Sequence, residues 1–397
     1  MKLVTYGVPV GLTRSLLGRV ALQPVTDMQD RQQAIRVVRD GHIESDLDGY
    51  VGLITSHQIV NFDAKTRHVL ESLPHIHSVP HLDHLCNGDV VVMRPKQGYI
   101  RTLYRVNSDF NSLFITERCN SDCVMCPQPP NPADDSYLIE ENLQLIRLMN
   151  PATRYLGMTG GEPTLLKDDL IRIIATCKKH LPNTAVDLLT NGRMFLYDSY
   201  ARKLADVGHD GLTVCIPLYS HIPSEHDYIV QAKDGFVQAI EGLYNLGRLR
   251  QRLEVRVVIH ALNYHRLPRL AEYIYRNLPF IAHVTFMQME IKGYVKKNLD
   301  ELWIDPFDYQ PQLVEAVSYL DMAGMNVSVY NHQLCVLDKS LWPFARKSIS
   351  DWKNIYLPEC QVCAERERCG GLFASAETVH SKHIKPFTAA SPVLNPS

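Results

Sequence analysis

The sequence predicts an α/β protein built around a TIM-type (β/α) barrel, complete or partial, with a small mixed α/β domain before it and a cysteine-rich segment after it. Three observations carry that expectation. β-branched apolar runs alternate with helix-period stretches from about Leu113 to Tyr330, a three-cysteine loop directly follows the first of those runs, and the rhythm fails on both sides.

At 397 residues, with 45% hydrophobic and 21% charged content, the chain is globular and exceeds a single core. Residues 1–110 read as an N-terminal accessory domain, with Gly88 to Arg105 a hairpin around Lys96-Gln97-Gly98. The barrel is placed at 111–330. Its strands are "LFIT" (Leu113 to Thr116), "YLGMT", "AVDLLT", "GLTVCIPL", "LEVRVVIH", "HVTFMQ" and "NVSVY" (Asn326 to Tyr330), with helices such as "LIEENLQLIRLM" and "LIRIIATCKKH" between them. Such alternation signals βαβ units and a parallel sheet, and a barrel of this kind works at the C-terminal ends of its strands. The cysteine loop falls at one of those ends. Residues 331–385 form a separate cysteine-rich segment, and 386–397 a polar, proline-containing tail expected to be flexible. There is no internal repeat.

The balance of 41 Lys+Arg against 43 Asp+Glu, a net charge of −2, offers nucleic acid or an anionic membrane no general attraction. The first residues lack a continuous apolar signal region, and no window is long and apolar enough to span a bilayer, so a cytoplasmic protein is expected. Six of the ten cysteines fall in two tight groups, which in such a chain point to metal or redox chemistry.

The first group lies in "TERCNSDCVMCPQPP" (Thr116 to Pro130). Thiolates select iron–sulfur clusters, zinc or copper(I). A structural zinc site wants four closed ligands, and no His or Cys follows within about fifty residues. Three thiolates on a [4Fe–4S] cluster instead leave one iron open. A buried helical stripe is disfavoured by Asn120, Ser121 and Asp122 inside the loop and by Pro127, Pro129 and Pro130 after it.

Cys119-x3-Cys123-x2-Cys126 after a first strand resembles the radical S-adenosylmethionine (SAM) superfamily, from roughly Leu113 to Tyr330. The resemblance implies a partial (β/α)6 barrel, SAM chelated at the open iron, and a 5′-deoxyadenosyl radical that abstracts hydrogen from the substrate. Met125 stands where that family commonly has an aromatic residue, which softens packing on the adenine without preventing binding. "MTGGEPTLL" (Met158 to Leu166) alone is only a turn. After the cysteine loop it is similar to the family's SAM-amino motif, with Gly160 and Gly161 allowing close backbone approach and Glu162 accepting from an ammonium group. Asn191, between Thr190 and Gly192, is either part of a turn or a SAM or substrate contact. Ser220 is the candidate for the SAM ribose, with His221 second. Arg256 and Asn263 are candidates for the SAM carboxylate or adenine, ordinary ion pairing being the other reading of Arg256. Gln288 and Glu290 are candidate substrate contacts.

The second group, Cys360-x2-Cys363-x5-Cys369 with Cys335 upstream, supplies four thiolates, enough to close a cluster completely. Zinc is the rival ion, since Cys-x2-Cys also begins many zinc sites. The spacing looks like the twitch/SPASM-like segment of radical SAM peptide-modifying enzymes, implying one auxiliary [4Fe–4S] cluster. Together with "NHQLCVLDKSLWPFARKSISDWKN", these stretches are similar to the His-Xaa-Ser system radical SAM maturase family. That resemblance implies a peptide or protein substrate carrying His-Xaa-Ser repeats, and an electron donor such as flavodoxin or ferredoxin. Radical SAM chemistry on a small molecule or RNA, and a non-enzymatic zinc or iron–sulfur protein, stay open as other readings. His75, His77, His81, His84 and Cys86 read as an exposed histidine-rich loop rather than a metal site, and Cys177 and Cys215 as core residues.

Overall fold

The computed structural model describes residues 3–39, 46–59, 62 and 64–388, so the expected tail lies outside the described residues from 389 onward. The N-terminal strands are β1 (Val4–Tyr6), β2 (Val8–Val10), β3 (Leu16–Ala21), β4 (Ala34–Val38), β5 (Gly52–Thr55), β6 (His75–His77), β7 (Val90–Arg94) and β8 (Tyr99–Tyr104), with helices α1 (Met28–Arg31) and α2 (Ala64–Ser72) between them. They form one sheet in the order β1-β8-β7-β3-β4-β5-β6-β2. Only Gly7 separates β1 from β2, yet the two pair with strands at opposite ends of that order, so the sheet closes into a small barrel. Closure leaves no room for a side chain at Gly7, where a Cβ would stand 2.5 Å from the His77 carbonyl oxygen. Ile35, Ile54, Ile76, Met93 and Ile100 fill the inside.

The expected mixed α/β domain is thus mainly a closed sheet, and its hairpin turns at Lys96–Gly98 as the sequence suggests. The histidine run corrects the expectation of an exposed loop. His75-Ile76-His77 is strand β6, paired on both sides, and His75 is buried; only His81 is exposed, and His84 is half-buried.

The second sheet comprises β9 (Asn111–Phe114), β10 (Tyr155–Thr159), β11 (Ala185–Leu189), β12 (Leu212–Pro217), β13 (Arg252–Ile259), β14 (His283–Gln288), β15 (Val327–Tyr330) and the short β16 (Ala345–Arg346). All are parallel and ordered as in the sequence. Parallel strands that neighbour in sequential order wind as a barrel. Among the described residues β9 and β16 pair with one neighbour each, so the sheet is a curled half-barrel. Helices α3 (Tyr137–Leu148), α4 (Asp168–His180), α5 (Asp198–Val207), α6 (Pro223–Val230), α7 (Gly235–Arg248), α8 (Leu267–Asn277), α9 (Leu299–Leu302) and α10 (Gln310–Met322) connect the strands. Six strand–helix units give the expected partial (β/α)6 barrel, extended by β15 and β16.

Strand β13 shows how the layers are written. Leu253, Val255, Val257 and Ile259 alternate into the main core against the helices, while Glu254 and Arg256 face the other way. In α4, Asp168 and Asp169 open the helix and Lys178 and Lys179 close it, each charge opposing the helix dipole. Beyond the barrel, β17 (Asn354–Ile355) and β18 (Leu372–Phe373) form a two-stranded ribbon beside the last cysteines.

Candidate active site

The chain leaves β9 and is fastened before it reaches the first cysteine. Asp135 accepts from the Thr116 hydroxyl at 2.7 Å, from the Glu117 amide and from Arg118 Nε at 3.0 Å. The loop itself is pinned by distant segments. Asp122 and Val124 donate to the carbonyls of Val230 and Ile229 at the end of α6, Asn298 Nδ2 donates to the Val124 carbonyl at 2.8 Å, and the Tyr294 amide to that of Cys126 at 2.9 Å. Val124 and Met125 are buried with Tyr219, Ile229, Val230 and Met289 in a satellite core behind the loop, and Cys123 packs on it. Met125 is therefore a core residue here.

The glycine pair has a reason the motif alone does not give. Gly160 has φ +154°, and a Cβ there would stand 2.4 Å from the Thr116 carbonyl oxygen; at Gly161 it would stand 2.1 Å from that of Arg118. The close approach is to the protein's own backbone, and the amides of Gly161 and Glu162 donate to the same two carbonyls. Glu162 is 1% exposed. Its carboxylate accepts from the Thr164 amide and hydroxyl, from the Thr190 hydroxyl at 2.6 Å and from the Asn191 amide at 2.6 Å. Burial pushes its carboxyl up against the pull of these bonds. Glu162 thus clamps the β10 loop to the β11 loop. Asn191 in turn donates to the Asn120 side-chain oxygen at 2.7 Å, and Arg193 to the Asn120 carbonyl and the Ser121 hydroxyl, so the structure brings Gly160, Gly161, Glu162 and Asn191 together around the cysteine loop.

The remaining candidates lie elsewhere. Ser220 is fully buried and donates to Glu225 at 2.7 Å, which pairs with Arg266. His221 is half-buried beside that cluster, with Arg266 and Glu225 among the charges acting on it. Asn263 is buried and bonds only within its own turn, to His260 and Val258. Gln288 receives a bond from Gln333, and Glu290 an ion pair from Lys353 at 3.0 Å, so both tie the barrel to the C-terminal segment. Arg256 sits in a polar belt that crosses the half-barrel: Tyr155 donates to Asp187, Arg256 bridges Asp187 and Glu254, and Glu254 pairs with His283, which reaches Ser328. Cys177 lies in the main core, whereas Cys215, although buried, neighbours this belt.

Burial pushes the Cys119 thiol up to about 11, the Glu162 charge adding to it, and the Cys123 thiol up to about 12, with Cys126 and Cys119 as neighbouring charges. Thiols so placed become thiolates only beside a cation. Burial likewise raises Cys126. Among the described residues, only Asp187, Cys215 and Glu254 bring three ligand atoms within 4.8 Å of one another, and Arg256 already serves there as the cation. Neither cysteine group is drawn in to the roughly 3.8 Å sulfur spacing that Zn–S bonds of about 2.3 Å impose.

Cys335, Cys360, Cys363 and Cys369 line one small pocket with Gln333, Tyr356 and Arg366. Pro386 and Phe387 line it too, so the segment expected to be a tail begins as a wall of this pocket: the Phe387 amide donates to Cys363 Sγ at 3.4 Å, and its carbonyl accepts from Ala364 at 2.7 Å. Burial pushes Cys335 up to about 11 and raises Cys360. The four thiols could hold a closed cluster, and the Gln333–Gln288 hydrogen bond at 3.1 Å joins that pocket to the end of β14.

Two parts of the site were missed in the sequence. Gly293 has φ +60°, and a Cβ would stand 2.4 Å from the Cys126 carbonyl oxygen; the Lys-Gly-Tyr turn after β14 was the visible signal. Charged residues alternating along β13 announced the polar belt.

A Radical SAM superfamily model matches residues 113–274. Among curated proteins, a probable GTP 3′,8-cyclase of Methanococcus aeolicus is 31% identical over 148 residues, covering 34% of this chain and 48% of that protein. The GTP 3′,8-cyclase of Limosilactobacillus fermentum is 28% identical over 157 residues, covering 38% and 46%. The chain spans about half the length of these curated relatives. Among solved structures, Streptococcus suis SuiB bound to precursor peptide SuiA is similar at TM-score 0.45 and 14% identity, over 55% of this chain and 48% of that one. Native anSMEcpe with bound AdoMet is similar at TM-score 0.43 and 17% identity, over 55% and 62%. The half-barrel has the parallel α/β form that the sequence predicts, and residues 113–274 within it are similar to the radical SAM superfamily.

Proposed function

We propose that the chain is a radical SAM enzyme that modifies a peptide or protein, with Cys119, Cys123 and Cys126 holding the SAM cluster and Cys335, Cys360, Cys363 and Cys369 an auxiliary [4Fe–4S] cluster. When bound, the first cluster and SAM supply hydrogen-atom abstraction. The chain's own contribution is placement. Backbone bonds from α6 and the β14 loop hold the thiols on one rigid loop, the satellite core keeps water from its back, and the Glu162 clamp sets the glycine pair beside it. The residues fit the group: three half-buried thiols on one loop, spread wider than a single ion needs, and no fourth cysteine in that loop.

The observation that carries the peptide reading is the second pocket, four thiols joined to the barrel by Gln288 and Gln333. An appendage of that kind suits a substrate larger than the barrel can enclose. A His-Xaa-Ser repeat protein as substrate and a flavodoxin or ferredoxin as electron donor follow from the family resemblance. A second reading, chemistry on a small molecule such as a nucleotide, is favoured by the identity to GTP 3′,8-cyclases.

Anaerobically reconstituted protein tests both. About eight irons per chain are expected, falling to about four in a Cys119/Cys123/Cys126 triple Ala variant, with loss of a SAM-sensitive EPR signal. Formation of 5′-deoxyadenosine stimulated by a His-Xaa-Ser repeat peptide supports the first reading, and stimulation by GTP alone supports the second. Zinc in place of iron defeats both.

A further inference from the structure

Tyr219 follows β12 by two residues and is 8% exposed, packed against the cysteine loop in the satellite core that also receives Cys123. Its ring is held from two sides, stacked on His226 at 5.7 Å and tilted toward His260 at 6.3 Å, and its amide donates to His226 Nδ1 at 3.3 Å. So fixed a tyrosine ordinarily spends its hydroxyl on a partner. Among the described residues this hydroxyl has none, whereas the buried tyrosines Tyr104 and Tyr309 bond Thr153 and His332. The phenol hydroxyl is a donor, and the core that holds its ring is the one on which Val124, Met125 and Cys123 of the cysteine loop pack.

We propose that the Tyr219 hydroxyl donates a hydrogen bond to the sulfur shell of the cluster held by Cys119, Cys123 and Cys126, and so sets its reduction potential. The inference rests on the cluster reading above. It makes Tyr219 a positioning residue, since it acts through the cluster and not on the substrate. Hydrogen bonds to the sulfurs of such a cluster stabilise the more negatively charged reduced state and raise the potential. His226 and His260 serve it by fixing the ring: burial lowers them to about 4 and about 3, so both are neutral and add no competing charge.

The test is a redox titration followed by EPR on the reconstituted full chain. Tyr219→Phe keeps the ring and removes the donor, and the midpoint potential of the SAM-sensitive cluster should shift to more negative values with iron content unchanged. Site-specific 3-fluorotyrosine at position 219 keeps the hydroxyl as a stronger donor and should shift the potential the opposite way. Tyr244→Phe, whose hydroxyl donates to the Asn277 carbonyl far from the cysteines, should shift nothing. Opposite shifts in the first two chains support the proposal. An unchanged potential in both overturns it, and if the Phe variant fails to take up iron, an unchanged potential in the fluorotyrosine chain overturns it alone. Absence of any SAM-sensitive cluster in the wild type would instead defeat the reading beneath it.

Discussion

The amides of Asp122 and Val124 reach carbonyls at the end of α6, on the far side of the barrel sequence, while those of Cys363 and Cys369 donate to the carbonyls of Cys360, Glu365 and Arg366 a few residues earlier. The first cysteine loop is held by long-range contacts from three other segments, and its spacing is a property of the folded barrel. The second pocket takes its backbone bonds from its own short turns and is closed by Pro386 and Phe387, while Cys369 and Phe387 also rest on the main core. Shared residue type therefore conceals different mechanics: a lesion in the loops of the barrel should reach the first site before the second.

The sharpest break is Gly161→Ala. The new methyl would meet the Arg118 carbonyl oxygen at 2.1 Å, a backbone atom that cannot yield without moving Cys119. A loss of about 4 kcal/mol or more is expected in urea unfolding, with the first cluster's iron lost and the second's retained. Loss of both would mean that the second pocket also depends on the barrel. Arg256→Met comes next. It strands Asp187 and Glu254 without their shared cation, at a cost of about 3 kcal/mol near neutral pH. The sign with pH is diagnostic. In the wild type, burial favours a higher Glu254 pKa, but His283 and Arg256 hold the carboxyl below its ordinary value, so its stabilisation is lost only as pH falls through that lowered value. Without Arg256 the Glu254 carboxyl loses a cation that holds it down, and the Asp187 carboxyl, already raised by burial, should rise further. The folded state then binds more protons, and the variant should gain more stability from pH 7 towards pH 5 than the wild type does.

Much of this was legible from residues. The β-branched runs from Leu113 to Tyr330 announced the parallel units because each strand writes its helix-facing side in Val, Ile and Leu, and the spacing of the cysteines announced their grouping. Motif reading did not foresee the local partners that some candidate side chains have. Ser220 was read as the candidate for a ribose, and its hydroxyl donates to Glu225 in the first turn of α6. Of the two readings of Arg256, the ion pair is the one with partners in this structure, Asp187 and Glu254. The closure of the N-terminal sheet was not legible at all, since it depends on a three-residue strand either side of Gly7 and on pairings made across the whole domain.

Asp135→Ala sharpens the comparison at intermediate size. It removes the acceptor of three donors at the root of the first loop, Thr116, Glu117 and Arg118, and leaves the buried Thr116 hydroxyl without its acceptor. About 2 kcal/mol should be lost, with slower iron uptake at the first site in a reconstitution time course. Phe387→Ala is the smallest and the most selective. The side chain meets the edge of Trp342 at 5.4 Å and walls the second pocket, while its backbone bonds to Cys363 and Ala364 survive truncation. About 1 kcal/mol is expected, too little to disturb the barrel. Iron should fall toward the content of a single cluster while the SAM-sensitive signal keeps its intensity. If that signal weakens instead, the Gln288–Gln333 contact transmits a disturbance between the sites, and the local character assigned to the second pocket is wrong.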